Sequence, residues 1–460
     1  MKADEETRDE TGRALTALMA WAASVRYEDI PAAVLSKAAL VIADDLAAMI
    51  AARDEPEVKR AHDQLLGYGS GRDVTVFRGG RPRTDRYSAV LANGIAGSWC
   101  ELDEGFRHAS CHAGLYTLPA LLAEAELRNL TVGDVLRAAV VAYEITARFA
   151  RCWRFPQLTL HPHPQTAAIG GAAATGVARG YTAPLLMDAI TAASTLVTAG
   201  HFEHAIDGAL VRNVWAAVGT SNGMRAADWA QCGIGGKVDG PLSVYTDLLG
   251  QRPSPRFLNE RLGEDWSISS GFHKVHACCQ STHSAVEAML MAVAEMGSRR
   301  GADDIERVVL ETHRPGMSNR RPATTLAAKF SYEHALATAQ VHGHAGSEAF
   351  AAETLTEPRV ARLRERIELR AYEPLPQPPH DRPARLTLHF NDGSTLVTQC
   401  LSAMGGPDRP FADDVIVDKI GTITRDVYPR LLPVMASIMA LDAPRLASGW
   451  ETVVAEMCGD

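Results

Sequence analysis

From about residue 10 to residue 250, segment after segment returns apolar residues at three- and four-residue intervals. VLSKAALVIADDLAAMIAA (34–52), LPALLAEAELRN (118–129), VGDVLRAAVVAYEITARFA (132–150) and APLLMDAITAASTLVTAG (183–200) all carry it. That spacing belongs to the α-helix and not to the strand. Alanine crowds these faces and lets helices approach closely, so the pattern predicts a packed multi-helix domain. One β-like segment interrupts it, DVTVFRGG (73–80), which ends at a Gly-Gly turn.

The texture changes after about residue 265. IERVVLETH (305–313) alternates like a half-buried strand, and ARLTLHF and STLVTQCL flank Asn391-Asp392-Gly393, a strong hairpin signal. Helical stretches, STHSAVEAMLMAVAEMG (281–297) and SYEHALATAQ (331–340), lie between them. From Gly405 the chain turns helical again. At 460 residues it exceeds one ordinary core. The expected fold is therefore mostly α: an all-helical domain over 1–265 completed by 405–460, with a smaller α+β domain over 266–404.

A net charge of −9 and the lack of a long basic run exclude a general nucleic-acid binder. No uninterrupted apolar run reaches membrane-spanning length, since even 34–52 is broken by Lys37, Asp44 and Asp45. The polar, acidic N-terminus is neither signal nor transit peptide, and eight cysteines scattered without a CxxC pair fit a reducing cytoplasm.

Four segments carry polar groups that helix packing does not require. ELDEGFRHASCHAG (101–114) brings three carboxylates, an arginine, two histidines and a cysteine together. HPHPQT (161–166) uses two prolines to hold its histidines off a regular helix. GALVRNVWAA (208–217) sets Arg212 at the edge of an apolar run, and GFHKVHACCQSTH (271–283) carries Lys274 near the domain junction, where pockets tend to form. Each has a plain reading: a solvated loop for the first, a structural histidine for His163, a surface charge or ion-pair partner for Arg212. Cys111, Cys278 and Cys279 read as small buried hydrophobes. The functional reading rests on a shared theme, imidazoles that move protons near pH 7 beside cations that hold carboxylates.

In order and spacing these segments resemble the MmgE/PrpD family of 2-methylcitrate dehydratases, cis-aconitate decarboxylases and an iminodisuccinate epimerase. The resemblance runs over nearly the whole chain. It is carried by ANGIAGSWCELDEG (92–105), His112 before Ala-Gly, His161-Pro162, Lys274 to His283, and the NDG hairpin. It implies a homodimer, an α+β domain that acts as a lid, a cleft between the two domains, and catalysis without metal or organic cofactor. It also implies an active-site acid at Glu101, with Asp103 as a second candidate, histidines at His112 and His161, and carboxylate-binding cations at Arg212 and Lys274. Arg212 stands where lysine is common, Gly105 where the decarboxylase-like members have threonine, and Trp215 where histidine follows the cation.

The implied chemistry develops negative charge at a carbon next to a carboxylate. His112 and His161 are the expected base and acid, with Glu101, Asp103 and Lys274 beside them. Arg212, Lys274 and His163 are the expected contacts to a small polycarboxylate. A dehydratase or decarboxylase type of lyase is favoured over an epimerase using the same site. Two rivals come from other classes: a metal-dependent hydrolase built on His108, His112, His161 and His163, whose HxxxH and HxH spacings occur at zinc sites, and a non-catalytic binding protein. The acid/base reading expects His112, His161 and Lys274 to line one cavity between the domains.

Overall fold

The computed structural model describes residues 2–155 and 159–460. Its first half is a stack of helices: α1 (Glu5–Ser24), α2 (Ala32–Ala51), α3 (Pro56–Tyr68), α4 (Arg86–Trp99), α5 (Ala113–Arg128), α6 (Val132–Cys152), α7 (Pro162–Ala178) and α8 (Ala183–Ala193). A further helix, Trp215–Gln231, follows the 3₁₀ turn that carries Arg212. At the centre lies α7, PHPQTAAIGGAAATGVA, buried along its whole length. It packs against α5, α6 and the helix Trp215–Gln231.

Small residues set how closely those helices meet. A Cβ on Gly223 would run into the Ala168 carbonyl and come 2.5 Å from the Ala172 amide, both backbone atoms that cannot swing aside. Gly223→Ala is therefore expected to destabilise the protein by about 1–3 kcal/mol through forced helix separation. Chemical denaturation reads this; an unchanged midpoint would mean the helices part freely.

The helix α2 is apolar on nearly every face, yet Asp44 and Asp45 are buried within it. Asp44 accepts from Lys419 Nζ at 2.6 Å and lies 2.6 Å from His273 Nδ1. Lys419 belongs to the helix Asp413–Thr424, which packs on α2 together with the helix Leu431–Met439. A buried charge left unpaired is costly, so Asp44 ties both the C-terminal helices and the segment after residue 272 to the first half of the chain.

The short β-like segment is present as β1 (Val74–Thr75) paired with β2 (Arg83–Thr84). β3 (Gly105–Phe106) pairs antiparallel with β4 (Gly271–Phe272). The later region holds a four-stranded sheet of β5 (Ile305–Thr312), β6 (Ile367–Ala371), β7 (Ala384–Phe390) and β8 (Thr395–Cys400), in spatial order β6-β5-β7-β8. The NDG hairpin joins β7 to β8 with Gly393 at φ 81°, the left-handed position a three-residue loop requires. β6 runs parallel to β5 and has no forerunner in the sequence reading. The helix His283–Met296 packs on β7 and β8. Among the described residues, no helix is long and apolar enough to cross a membrane.

Candidate active site

The acidic segment is not a solvated loop, because Glu101 through Phe106 are all buried. Helix α4 ends at Trp99, and two residues later Glu101 takes φ 54°, a left-handed conformation that a non-glycine residue adopts only when its surroundings hold it there. What holds it is charge. Arg212 Nη1 lies 2.5 Å from Glu101 Oε1, and Lys274 Nζ lies 3.4 Å from Oε2. Lys274 also reaches Asp103 Oδ1 at 3.2 Å. The two-residue pairing of β3 with β4 places Lys274 there, two residues past Phe272.

His112 and His161 occupy the N-cap positions of α5 and α7. Both therefore sit at the positive end of a helix dipole, where backbone amides favour negative charge nearby. His112 Nδ1 hydrogen-bonds the Glu104 carbonyl at 2.9 Å and lies 2.6 Å from Asp103 Oδ2, an oxygen without another hydrogen-bond donor. Those contacts leave Nε2 as the uncommitted ring nitrogen. His161 differs: its Nε2 accepts from Arg212 Nε at 3.1 Å and its Nδ1 faces the His163 amide at 3.2 Å. His163 is within the first turn of α7 with its Nδ1 2.8 Å from the Tyr116 hydroxyl, so the prolines start a helix here and do not keep His163 out of one.

Burial, then the neighbouring Arg212, holds His161 and His163 well below the usual imidazole range, so both are neutral at pH 7. Burial works against ionisation of Glu101 and Asp103, but their cations prevail: Arg212 and Lys274 lower Glu101, and Lys274 with His112 lowers Asp103. Glu104 goes the other way. Burial, reinforced by Asp103, pushes it up to about 8 despite donation from the Gly114 amide at 2.5 Å and the Tyr143 hydroxyl at 2.9 Å. Gly114 is required at this point, since a Cβ would collide with Asp45 Oδ2 and come 2.9 Å from Glu104 Oε1. Burial also raises the thiols of Cys111, Cys278 and Cys279, which removes them as nucleophiles at neutral pH.

A pKa raised to about 8 means folded Glu104 keeps its proton where the unfolded chain has lost it. Its contribution is full below about 4.5 and is lost as pH rises through 8. The isosteric Glu104→Gln should therefore gain stability relative to the parent as pH goes from 5 to 9. Parallel denaturation curves at the two pH values would contradict this.

A cavity of about 70 Å³ lies over this cluster, walled by Glu101, His112, His161, Arg212, Arg314 and Arg382, with Phe272 and Cys279 among its other sides. It brings together residues from the helical half and from the sheet-bearing region. Lys274 is a correction: fully buried, it is absent from the wall, and its ammonium faces the two carboxylates. Asp103 and His163 likewise stand behind the surface. His108 packs edge-on against Phe106 and belongs to a separate pocket with Arg148 and Asp265, so the four histidines of the hydrolase reading do not converge. Among the described residues, no three His, Cys, Asp or Glu side chains are grouped to hold a metal ion.

Arg314 and Arg382 were missed. Each precedes a proline at one end of a strand, Arg314 after β5 and Arg382 before β7, and Thr312 pairs with Ala384. The two Arg-Pro pairs were the available signal, because a residue before proline is held extended.

A buried imidazole–carboxylate–cation cluster thus lies under a small cavity, on a mostly helical frame with an added sheet. Residues 16–243 match the MmgE/PrpD N-terminal domain and residues 276–438 the MmgE/PrpD C-terminal domain. The chain belongs to the MmgE/PrpD family. It is 25% identical over 461 residues to the cis-aconitate decarboxylase-like protein oryM of Aspergillus oryzae, covering 94% of this chain and 95% of that protein. It is 24% identical over 436 residues to the cis-aconitate decarboxylase of Aspergillus terreus, covering 88% of each.

Proposed function

We propose that this protein is a lyase of the dehydratase or decarboxylase type. It acts on a small polycarboxylic acid by proton transfer at a carbon next to a carboxylate, with no resident cofactor. The observation that carries the reading is His112: on the cavity wall, with Nδ1 committed and Nε2 free, beside the buried Asp103 carboxylate. Nε2 would take the proton from carbon in a dehydration and pass it to the departing hydroxide, which leaves as water; in a decarboxylation the imidazole, protonated beforehand, would give its Nε2 proton to carbon once CO₂ has left. Asp103 would balance the charge on the imidazolium that forms. The N-termini of α5 and α7 would offset the developing negative charge.

His161, first expected as the second proton carrier, commits its Nε2 lone pair to Arg212; its assigned role is to position that guanidinium. An epimerase needs proton carriers on both faces of one carbon, and a single uncommitted imidazole supports the lyase instead. The relatives named for cis-aconitate favour an unsaturated tricarboxylate as one candidate substrate. Gly105 favours a difference in detail, for the Phe272 ring fills the space a side chain would need there. A homodimer is part of the same proposal.

A panel of cis-aconitate, citrate-like hydroxy acids and iminodicarboxylates tests the reading. Loss of water or CO₂ from at least one, followed by near-ultraviolet absorbance and gas release, is expected. Inversion without bond loss would favour the epimerase, and no turnover across the panel would favour a binding protein.

A further inference from the structure

We propose that Arg314 and Arg382 form an anion subsite at the mouth of the reaction cavity, built to hold the substrate carboxylate farthest from the bond that breaks. The inference rests on the polycarboxylate reading above and adds where the second carboxylate goes. The inner cations are already engaged: Arg212 with Glu101, His161 and Asn213, and Lys274 with Glu101 and Asp103. They neutralise the protein's own carboxylates and have little charge left for a ligand.

The two lid-side arginines are in the opposite condition. Among the described residues neither forms a salt bridge; Arg382 donates to the neutral Gln280 amide oxygen and Arg314 Nη1 lies 3.5 Å from Ser281 Oγ. Both line the inner cavity and also an adjoining outer pocket of about 470 Å³. That outer pocket adds Arg107, Arg154 and His313 against a single carboxylate, Asp381, which Arg107 already pairs. Four arginines against one aspartate, in a chain of net charge −9, make a local field opposite in sign to the whole. Burial, with Arg107 and Arg314 close by, pushes Arg382 down to about 9, a cost that a bound carboxylate would relieve.

The fold builds this pair. Antiparallel pairing of β5 with β7 brings the end of one strand and the start of the other to the same edge of the sheet, and the Arg-Pro step at each holds the side chain's backbone extended. Paired guanidinium groups suit a carboxylate, which they can grip through two hydrogen bonds. The selected ligand is thus an acid with at least two carboxylates, one reaching the inner cavity and one resting at the mouth.

Titration calorimetry with tricarballylate, an unreactive tricarboxylate, tests the subsite on the full-length protein. Arg382→Gln and Arg314→Gln should each weaken binding about ten- to a hundred-fold, as expected for a lost charge-assisted hydrogen bond, with partial recovery in Arg382→Lys. Arg26→Gln, at an exposed position outside both pockets, should bind as the parent does. Thermal melts identify a variant that fails to fold; if one arginine variant does, the other carries the test. Arginine-dependent binding in a protein that turns over no acid would uphold the subsite and remove the lyase reading. Turnover of a polycarboxylate with unchanged KM in both arginine variants, or no tricarballylate binding by the parent, would overturn the subsite.

Discussion

His112→Asn is expected to lower kcat by about 10²–10⁴-fold, the range lost when a positioned proton carrier is removed. Asparagine is the informative replacement because its Nδ2 can take over donation from His112 Nδ1 to the Glu104 carbonyl. Asp103 also keeps Lys274 as its partner, so no buried charge is stranded. The melting temperature should stay close to that of the parent, and KM should change little, since Arg314 and Arg382 remain in place. Steady-state kinetics beside a thermal melt separate the chemical loss from a structural one. An active His112→Asn protein would move the proton transfer elsewhere in the cavity.

The second large effect is on stability. Lys274→Met keeps the length of the side chain but leaves Glu101 and Asp103 buried with one cation fewer between them. Breaking a buried pair from one side costs about 3–5 kcal/mol. The deficit has a pH signature. In the parent, Lys274 helps hold both carboxylates below their ordinary range, so their stabilising contribution is present above the unfolded pKa and is lost as pH falls through the folded one. Without the lysine, protonation relieves the stranded charge, so the gap between variant and parent should narrow as pH falls. A substrate-anchoring lysine would behave otherwise: its loss would raise KM and leave the fold alone. Denaturation of Lys274→Met at two pH values distinguishes the two, and a variant as stable as the parent would restore the anchoring role first expected of it.

Much of the frame could be read from the residues because helix periodicity is local. The segments 34–52 and 132–150 fall on α2 and α6, and Asn391-Asp392-Gly393 falls on the β7–β8 turn. The site was legible as a set of residues but not as an arrangement. β3 and β4 are two residues each, too short to show alternation, yet their pairing carries Lys274 to Glu101 and sets its ammonium against two buried carboxylates. The left-handed backbone at Glu101 leaves no mark in composition. Arg314 and Arg382 sit in polar turns that read as surface, and only strand pairing across about 70 residues makes them neighbours of one cavity. β6 was hidden because IELRA follows a run of arginines and glutamates that reads as helix.

Proton transfer by His112 is the centre of the account, and solvent deuterium reads it directly. Parent and His112→Asn proteins would be incubated in D₂O with the acid that the parent turns over, and product followed by NMR. The account predicts one deuterium in the parent's product at the carbon that lost CO₂, or in the hydrated acid formed by the reverse of dehydration, with the rate of incorporation falling together with turnover in His112→Asn. Equal incorporation by the two proteins, or a product formed by hydrolysis of an ester or amide, would contradict it.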